Sequence, residues 1–239
     1  FSSELEPDES RITPEMIDQD AAYLLLTTNN TLYGSRYSAF PDAGNVPLIA
    51  DQTSEILSRV VDYSKFGCIY AGLQKNLGPS GTAIVVIRED LLGYASPETP
   101  VLLNYEQCAT DNSLTNTANT FAIYVTGLVL EWLQEQGGVA AIEKINEQKA
   151  KTLYDLIDAG DYYRGVILPE CRGTMNVSFN LASEELEAKF LKEAGAQGLY
   201  ALKGHRSVGG IRASIYNAMP LAGVETLAEF MREFESKNG

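Results

Sequence analysis

The chain has 239 residues, 45% of them hydrophobic, enough to bury a substantial core as one large unit or two modest ones. Its 32 acidic residues outnumber 18 basic ones, and a formal charge of −14 repels polyanions, so neither nucleic acid nor a membrane surface is an expected partner. Cys68, Cys108 and Cys171 are widely spaced and form no CxxC pair, which argues against a disulfide framework or a zinc site and for a reducing, cytoplasmic setting; no metal is expected, and no apolar run reaches the roughly 20 residues of a bilayer span.

Residues 1–10 are acidic and lack both an initiator methionine and the basic-then-apolar pattern of a signal peptide, so the chain reads as one that begins in mid-protein. Short apolar runs bounded by turn residues predict buried strands at 46–50, 68–71 and 82–87. Between the first two, Ser54-Glu-Ile-Leu-Ser-Arg-Val-Val has a short helical pattern, so strand, helix and strand alternate as in an α/β sheet with crossover helices. Residues 118–136, with Phe121, Tyr124, Val125, Leu128, Leu130 and Trp132, predict a mostly buried helix that stops at Gly137-Gly138. A long amphipathic helix follows over 139–156, then a strand over 175–179, a helix over 184–194, a strand over 211–215 and a final helix over 224–234. The chain thus divides into the carboxyl-terminal part of a large, incomplete lobe, 1–137, and a small α+β lobe, 138–239, with a ligand cleft expected at their junction.

Asp51 ends an apolar run, which places its carboxylate at the carboxyl edge of the sheet, where open α/β folds bind ligands; by itself it also fits a cap of the following helix. Lys75 follows the run 67–72 and precedes Asn76-Leu-Gly-Pro-Ser-Gly, a turn that holds the backbone sharply at the same edge. Partly desolvated there, a lysine keeps a share of neutral amine that condenses with an aldehyde, although a solvated loop lysine fits the local pattern too. Together, an Asp and a Lys at the ends of two strands match what pyridoxal 5′-phosphate requires: the amine at C4′ and the carboxylate at the pyridinium nitrogen. In the second lobe His205, Arg206 and Arg212 form a basic cluster around Gly209-Gly210, a pattern that a solvated loop also satisfies, and Asn116-Thr117 fits a helix cap. His205 is the single histidine and no nucleophile motif accompanies it, which disfavours a hydrolase triad.

Two segments carry a family resemblance: Tyr70-Ala-Gly-Leu-Gln-Lys-Asn-Leu-Gly-Pro-Ser-Gly and Gly204-His-Arg-Ser-Val-Gly-Gly-Ile-Arg-Ala-Ser-Ile-Tyr-Asn-Ala-Met. With Arg88-Glu-Asp-Leu-Leu-Gly, Met175-Asn-Val-Ser-Phe and Gly223-Val, they resemble the phosphoserine aminotransferase family, class V aminotransferases of the aspartate aminotransferase superfamily. The resemblance implies the fold type I of pyridoxal-phosphate transferases, with Lys75 as the Schiff-base lysine, Asp51 as the pyridinium partner, and Thr31 and Gln74 as cofactor contacts. Asn116 and Thr117 match a motif that reaches the cofactor phosphate of the other subunit, which implies a homodimer with shared active sites. Arg212 is implied to clamp the substrate α-carboxylate, and His205 and Arg206 to help hold the distal phosphate or carboxylate from the neighbouring subunit.

The implied reaction is amino transfer from L-glutamate to 3-phosphohydroxypyruvate, giving 2-oxoglutarate and O-phospho-L-serine in serine biosynthesis, with the phosphorylated acceptor of pyridoxine biosynthesis as a further candidate. Competing readings are another small-molecule aminotransferase of the superfamily and a non-catalytic dimerisation fragment. Departures from the family are Gln52-Thr53-Ser54 after the aspartate, Leu25-Leu26 at a more polar site, Ala118 for a proline, and no counterpart of the family's amino-terminal third.

Overall fold

The computed structural model describes residues 12–239. Strands β1 (Leu24–Thr27), β4 (Leu48–Asp51), β5 (Cys68–Gly72) and β6 (Ala83–Ile87) form a sheet in the order β1-β4-β5-β6, and between β1 and β4 the two-residue strands β2 (Asn29–Asn30) and β3 (Ser35–Arg36) make a small antiparallel pair. The first three strands of the sheet run parallel and β6 returns antiparallel along β5. The pleat explains what each strand buries: Leu48 and Ala50 of β4 point into a cluster with Leu26, Phe66 and Ile69, while Ile49 and Asp51 take the other, half-open face. The runs predicted at 46–50, 68–71 and 82–87 all form strands, and β1 is an additional one that the sequence reading did not assign.

The helix predicted over 54–61 does not form. Residues 53–57 make consecutive turns, and Leu57 takes a left-handed φ of 55°, which a right-handed helix excludes. Polar residues of this stretch serve longer-range bonds instead: Ser54 Oγ donates to the Asn29 carbonyl at 2.8 Å, and Arg59 Nη2 donates to the Tyr37 carbonyl at 2.9 Å. The parallel step from β4 to β5 is therefore made by turns and one short 3-10 segment, Tyr63–Lys65.

A short helix α1 (Tyr105–Thr110) precedes α2 (Thr120–Glu135), whose N-cap is Asn119, its side chain accepting from the Ala122 amide. The predicted burial of this second helix is wrong. Only Ala122 and Leu133 are fully buried, whereas Phe121, Ile123, Tyr124, Leu128 and Leu130 face outwards, because no described element packs on that side. Gly137 and Gly138, both at positive φ, end it and turn the chain into α3 (Val139–Ile157).

The remainder is built around a three-stranded antiparallel sheet of β7 (Arg164–Gly165), β8 (Asn176–Asn180) and β9 (Ile211–Ser214), with α3, α4 (Glu184–Ala196) and α5 (Leu221–Asn238) packed on it. Phe179, Phe190, Phe230, Phe234 and Tyr163 meet at its centre, mostly edge to face, with Phe190 and Phe230 centroids 4.9 Å apart. On β9 Ile211 and Ala213 point into this core, which leaves Arg212 and Ser214 on the opposite face. That face meets the first sheet through buried amides: Asn29 Nδ2 donates to Asn176 Oδ1 at 3.0 Å, and the Asn217 amide to Asn76 Oδ1 at 3.1 Å.

Candidate functional site

The carboxyl ends of β4 and β5 lie side by side, since Asp51 and Tyr70 are register partners and Gly72 closes β5 two residues later. Asp51 does not cap a helix; its Oδ1 accepts the Thr53 amide at 2.8 Å in a local turn. The Thr53 hydroxyl then accepts the Gly72 amide at 3.2 Å, tying the aspartate turn to the end of β5. The Tyr70 phenol lies beside the Asp51 carboxylate, and its acidity is weakened first by burial and then by that negative charge.

Beyond Gly72 the chain makes a tight turn in which the amides of Leu77 and Gly78 both bond the Leu73 carbonyl, at 2.9 and 2.8 Å. This turn sets Lys75 over the sheet edge. Its Nζ donates to Thr31 Oγ1 at 2.8 Å and stands 5.7 Å from the centre of the Tyr216 ring. Gln74 is exposed and folds back, its Oε1 lying 2.5 Å from where a side chain on residue 72 would begin, so it covers the end of β5 at Gly72. Arg212 reaches the same place from β9, its Nη1 donating to the Thr31 carbonyl at 3.2 Å, while its Nε is buried with no hydrogen-bond partner. Thr31 is thus the meeting point of the lysine and the arginine, with a guanidinium N–H left over.

The other predicted residues lie apart. Asn116 and Thr117 are exposed on the loop before α2, and no hydrogen bond joins them to Lys75, Asp51 or Thr31. The basic cluster is split, because His205 and Arg206 line a separate cavity of about 630 Å³ with Lys203, Glu184 and Glu187, which Arg212 does not line. The loop carrying them is closed by the Gly204 amide bonding the Gly210 carbonyl at 2.9 Å, and His205 Nδ1 contacts Ser207 Oγ at 2.7 Å. A Cβ at Gly204 would collide with the Gly209 carbonyl, so this closure demands glycine.

Two residues of the site escaped the sequence reading. Tyr216 stands beside Lys75, and strand alternation through 212, 214 and 216 was the signal for it. Tyr70 was quoted within a motif, but its place beside Asp51 depends on the parallel register of two strands. Among the described residues no three or more His, Cys, Asp or Glu side chains gather as a metal would need, and no helix is long and apolar enough to cross a membrane.

The family model described as aminotransferase class-V matches residues 3–227. The chain belongs to the class V aminotransferases. It is 54% identical over 222 residues, 92% of its length, to phosphoserine aminotransferase of Lysinibacillus sphaericus, and covers 61% of that protein. The solved phosphoserine aminotransferase of Bacillus circulans subsp. alkalophilus superposes with a TM-score of 0.91 at 48% identity, over 93% of this chain and 62% of the other. The pyridoxal-phosphate-bound phosphoserine aminotransferase of Trichomonas vaginalis matches at 37% identity and a TM-score of 0.87, over 95% and 63%. This class V chain therefore has the α/β architecture of fold type I and spans a little over 60% of the length of the curated relatives it matches.

Proposed function

We propose that this chain is part of a pyridoxal-phosphate aminotransferase that moves the amino group of L-glutamate to 3-phosphohydroxypyruvate, forming 2-oxoglutarate and O-phospho-L-serine in cytoplasmic serine biosynthesis. The observation that carries this reading is the convergence at one sheet edge: the Lys75 amine and the Arg212 guanidinium both bond Thr31, and Asp51 ends the strand beside the one that leads to Lys75. The residues fit the cofactor, since a half-buried amine, a carboxylate steadied by Thr53 beside the Tyr70 phenol, and an exposed Gln74 amide are the donors and acceptors it requires. When bound, pyridoxal phosphate supplies an electron sink for the pair left at the substrate α-carbon.

Lys75 holds the cofactor and, once free, carries the proton from and to the substrate α-carbon. Asp51 keeps the ring nitrogen protonated, with the Thr53 amide fixing its carboxylate in place beside the Tyr70 phenol. Thr31 and Gln74 contact the cofactor, and the unused Nε of Arg212 faces the α-carboxylate as one tine of a bidentate fork. Asn116 and Thr117 act across the interface of a homodimer, and their exposure, with no bond to the site of their own chain, supports that reading. His205 and Arg206 hold the distal phosphate, also across the interface. The large lobe is assigned to residues 1–137 and the small lobe to 138–239.

The test is spectroscopic and then kinetic. The chain mixed with pyridoxal phosphate gives a visible band that borohydride bleaches and that Lys75→Ala lacks. Release of 2-oxoglutarate from glutamate is then measured with phosphorylated and unphosphorylated keto-acid acceptors. Equal rates with both refute phosphate selectivity, and an unchanged band in Lys75→Ala refutes the assignment of the lysine.

A further inference from the structure

Lys149 is fully enclosed on the inner face of α3, at 0% exposure. A buried ammonium is costly unless all its protons are bonded. Here each has an acceptor, the carbonyls of Ile215 at 3.0 Å, Tyr216 at 2.9 Å and Met219 at 3.1 Å. No carboxylate pairs with it among the described residues, and burial lowers its pKa to about 8. One turn earlier Asn146, also buried, donates to the Ser58 carbonyl and to Asn217 Oδ1, both at 2.9 Å. Asn217 is bound in turn to the Leu57 carbonyl at 2.9 Å and to the side chain of Asn76, the residue after Lys75, at 3.1 Å.

The turn 215–219 is therefore gripped from one side by α3 and from the other by the loop that carries Lys75. Tyr216 sits in the middle of it. Its ring faces the Lys75 amine at 5.7 Å, and its hydroxyl accepts from Asn176 Nδ2 at 3.3 Å. An ammonium over an aromatic face is stabilised by the ring quadrupole, so a displaced Tyr216 leaves the Lys75 amine less tightly held and freer to react. A methionine would fill the space of Lys149 but take its donor from the Ile215 and Met219 carbonyls, while that of Tyr216 keeps only the Met219 amide at 2.9 Å, and the turn would have to open to find water.

We propose that Lys149, together with Asn146, is a positioning residue for Lys75: by gathering the carbonyls of the 215–219 turn it fixes Tyr216 against the amine. Its meaning for the reaction rests on the reading of Lys75 given above, and the test accordingly reads Lys75 directly, without cofactor or substrate.

The chain and its variants, checked for folding by circular dichroism, are acetylated with dilute acetic anhydride. The rate at Lys75 is read by peptide mass spectrometry against the exposed Lys144. Lys149→Met raises the Lys75 rate relative to Lys144 by about twofold to fivefold, the scale of a lost cation–π contact. Tyr216→Leu gives the same rise, and the double variant adds nothing further, as expected of residues that act in series. A folded Lys149→Met with an unchanged ratio, or effects that multiply in the double variant, overturns the proposal by leaving Lys149 a purely structural group. Should Lys149→Met fail to fold, Asn146→Ala loosens the same turn with the ammonium in place; a smaller rise at Lys75 is expected, and no rise overturns the proposal. A chain that forms no coloured product with pyridoxal phosphate defeats the proposed reaction but does not alter these acetylation ratios.

Discussion

The regions on either side of Gly138 solve the problem of burial differently. After it, three helices and a three-stranded sheet close over one continuous core that runs from Ala150 to Phe234. Before it, the apolar side chains fall into three smaller clusters, and Phe121, Tyr124 and Leu103 stand 65–68% exposed, with Val85 and Val86 of β6 also facing outwards. The residues proposed to hold the cofactor sit mainly in the open region, and the closed one contributes Arg212 and Tyr216 across the junction. Stability and chemistry are thus carried by different parts, joined by the buried amides of Asn29, Asn76, Asn176 and Asn217.

The sharpest way to break this comparison is to make the same substitution on both sides. Phe190→Ala empties the centre of the aromatic cluster, where the side chain is 0% exposed, and costs about 3–5 kcal/mol in denaturant unfolding. Phe121→Ala on α2, at 68% exposure, changes unfolding by about 0.5 kcal/mol or less. Comparable losses at the two positions would show that the outward face of α2 is covered in solution.

The junction is tested next. Arg212→Lys keeps the charge but removes the fork that bonds the Thr31 carbonyl, together with the unpartnered Nε proposed to meet the substrate carboxylate. Under the proposed transamination, losing a charge-assisted hydrogen bond of about 1.5–3 kcal/mol predicts a rise in the KM for glutamate of about tenfold or more, with a smaller change in kcat. A change confined to kcat would place the arginine in the chemical step instead of carboxylate binding.

What the sequence made legible follows the same division. Strands came from short β-branched runs between turn residues, and the helices at 139–156, 184–194 and 224–234 from their periodicity, so each was recognisable from local pattern alone. Burial was not: the pattern of α2 reports apolarity, and whether a partner covers it is a tertiary fact. The stretch 54–61 failed because Ser54 bonds Asn29 and Arg59 bonds the Tyr37 carbonyl, partners more than 20 positions away that no helical window registers. At the site, Asp51 and Lys75 were legible as polar residues ending apolar runs. Alternation past β9 hinted at the face of Tyr216, but its contact with Lys75 and the role of Lys149 were not legible, because both depend on contacts between residues more than 60 positions apart.

The smallest effect expected lies at the surface of the closed region. Arg172 grips Asp158 through both carboxylate oxygens, at 2.6 and 2.8 Å, and hydrogen bonding to the guanidinium holds the Asp158 carboxyl below its usual range. A carboxylate whose acidity is strengthened by folding stabilises the native state above its unfolded pKa, and that contribution disappears as pH falls through the folded value. Because the Asp158 side chain is 53% exposed, solvent screens the pair, and Asp158→Asn costs about 0.5–1 kcal/mol at neutral pH. The wild-type chain and Asp158→Asn should therefore begin to converge in melting temperature as pH drops below about 4, the ordinary range of an aspartate, and meet once it is below the lowered folded value. A gap that persists at that acidity would mean the substitution acts through something other than the ion pair, such as the packing of Arg172 on the Tyr154 ring at 4.5 Å.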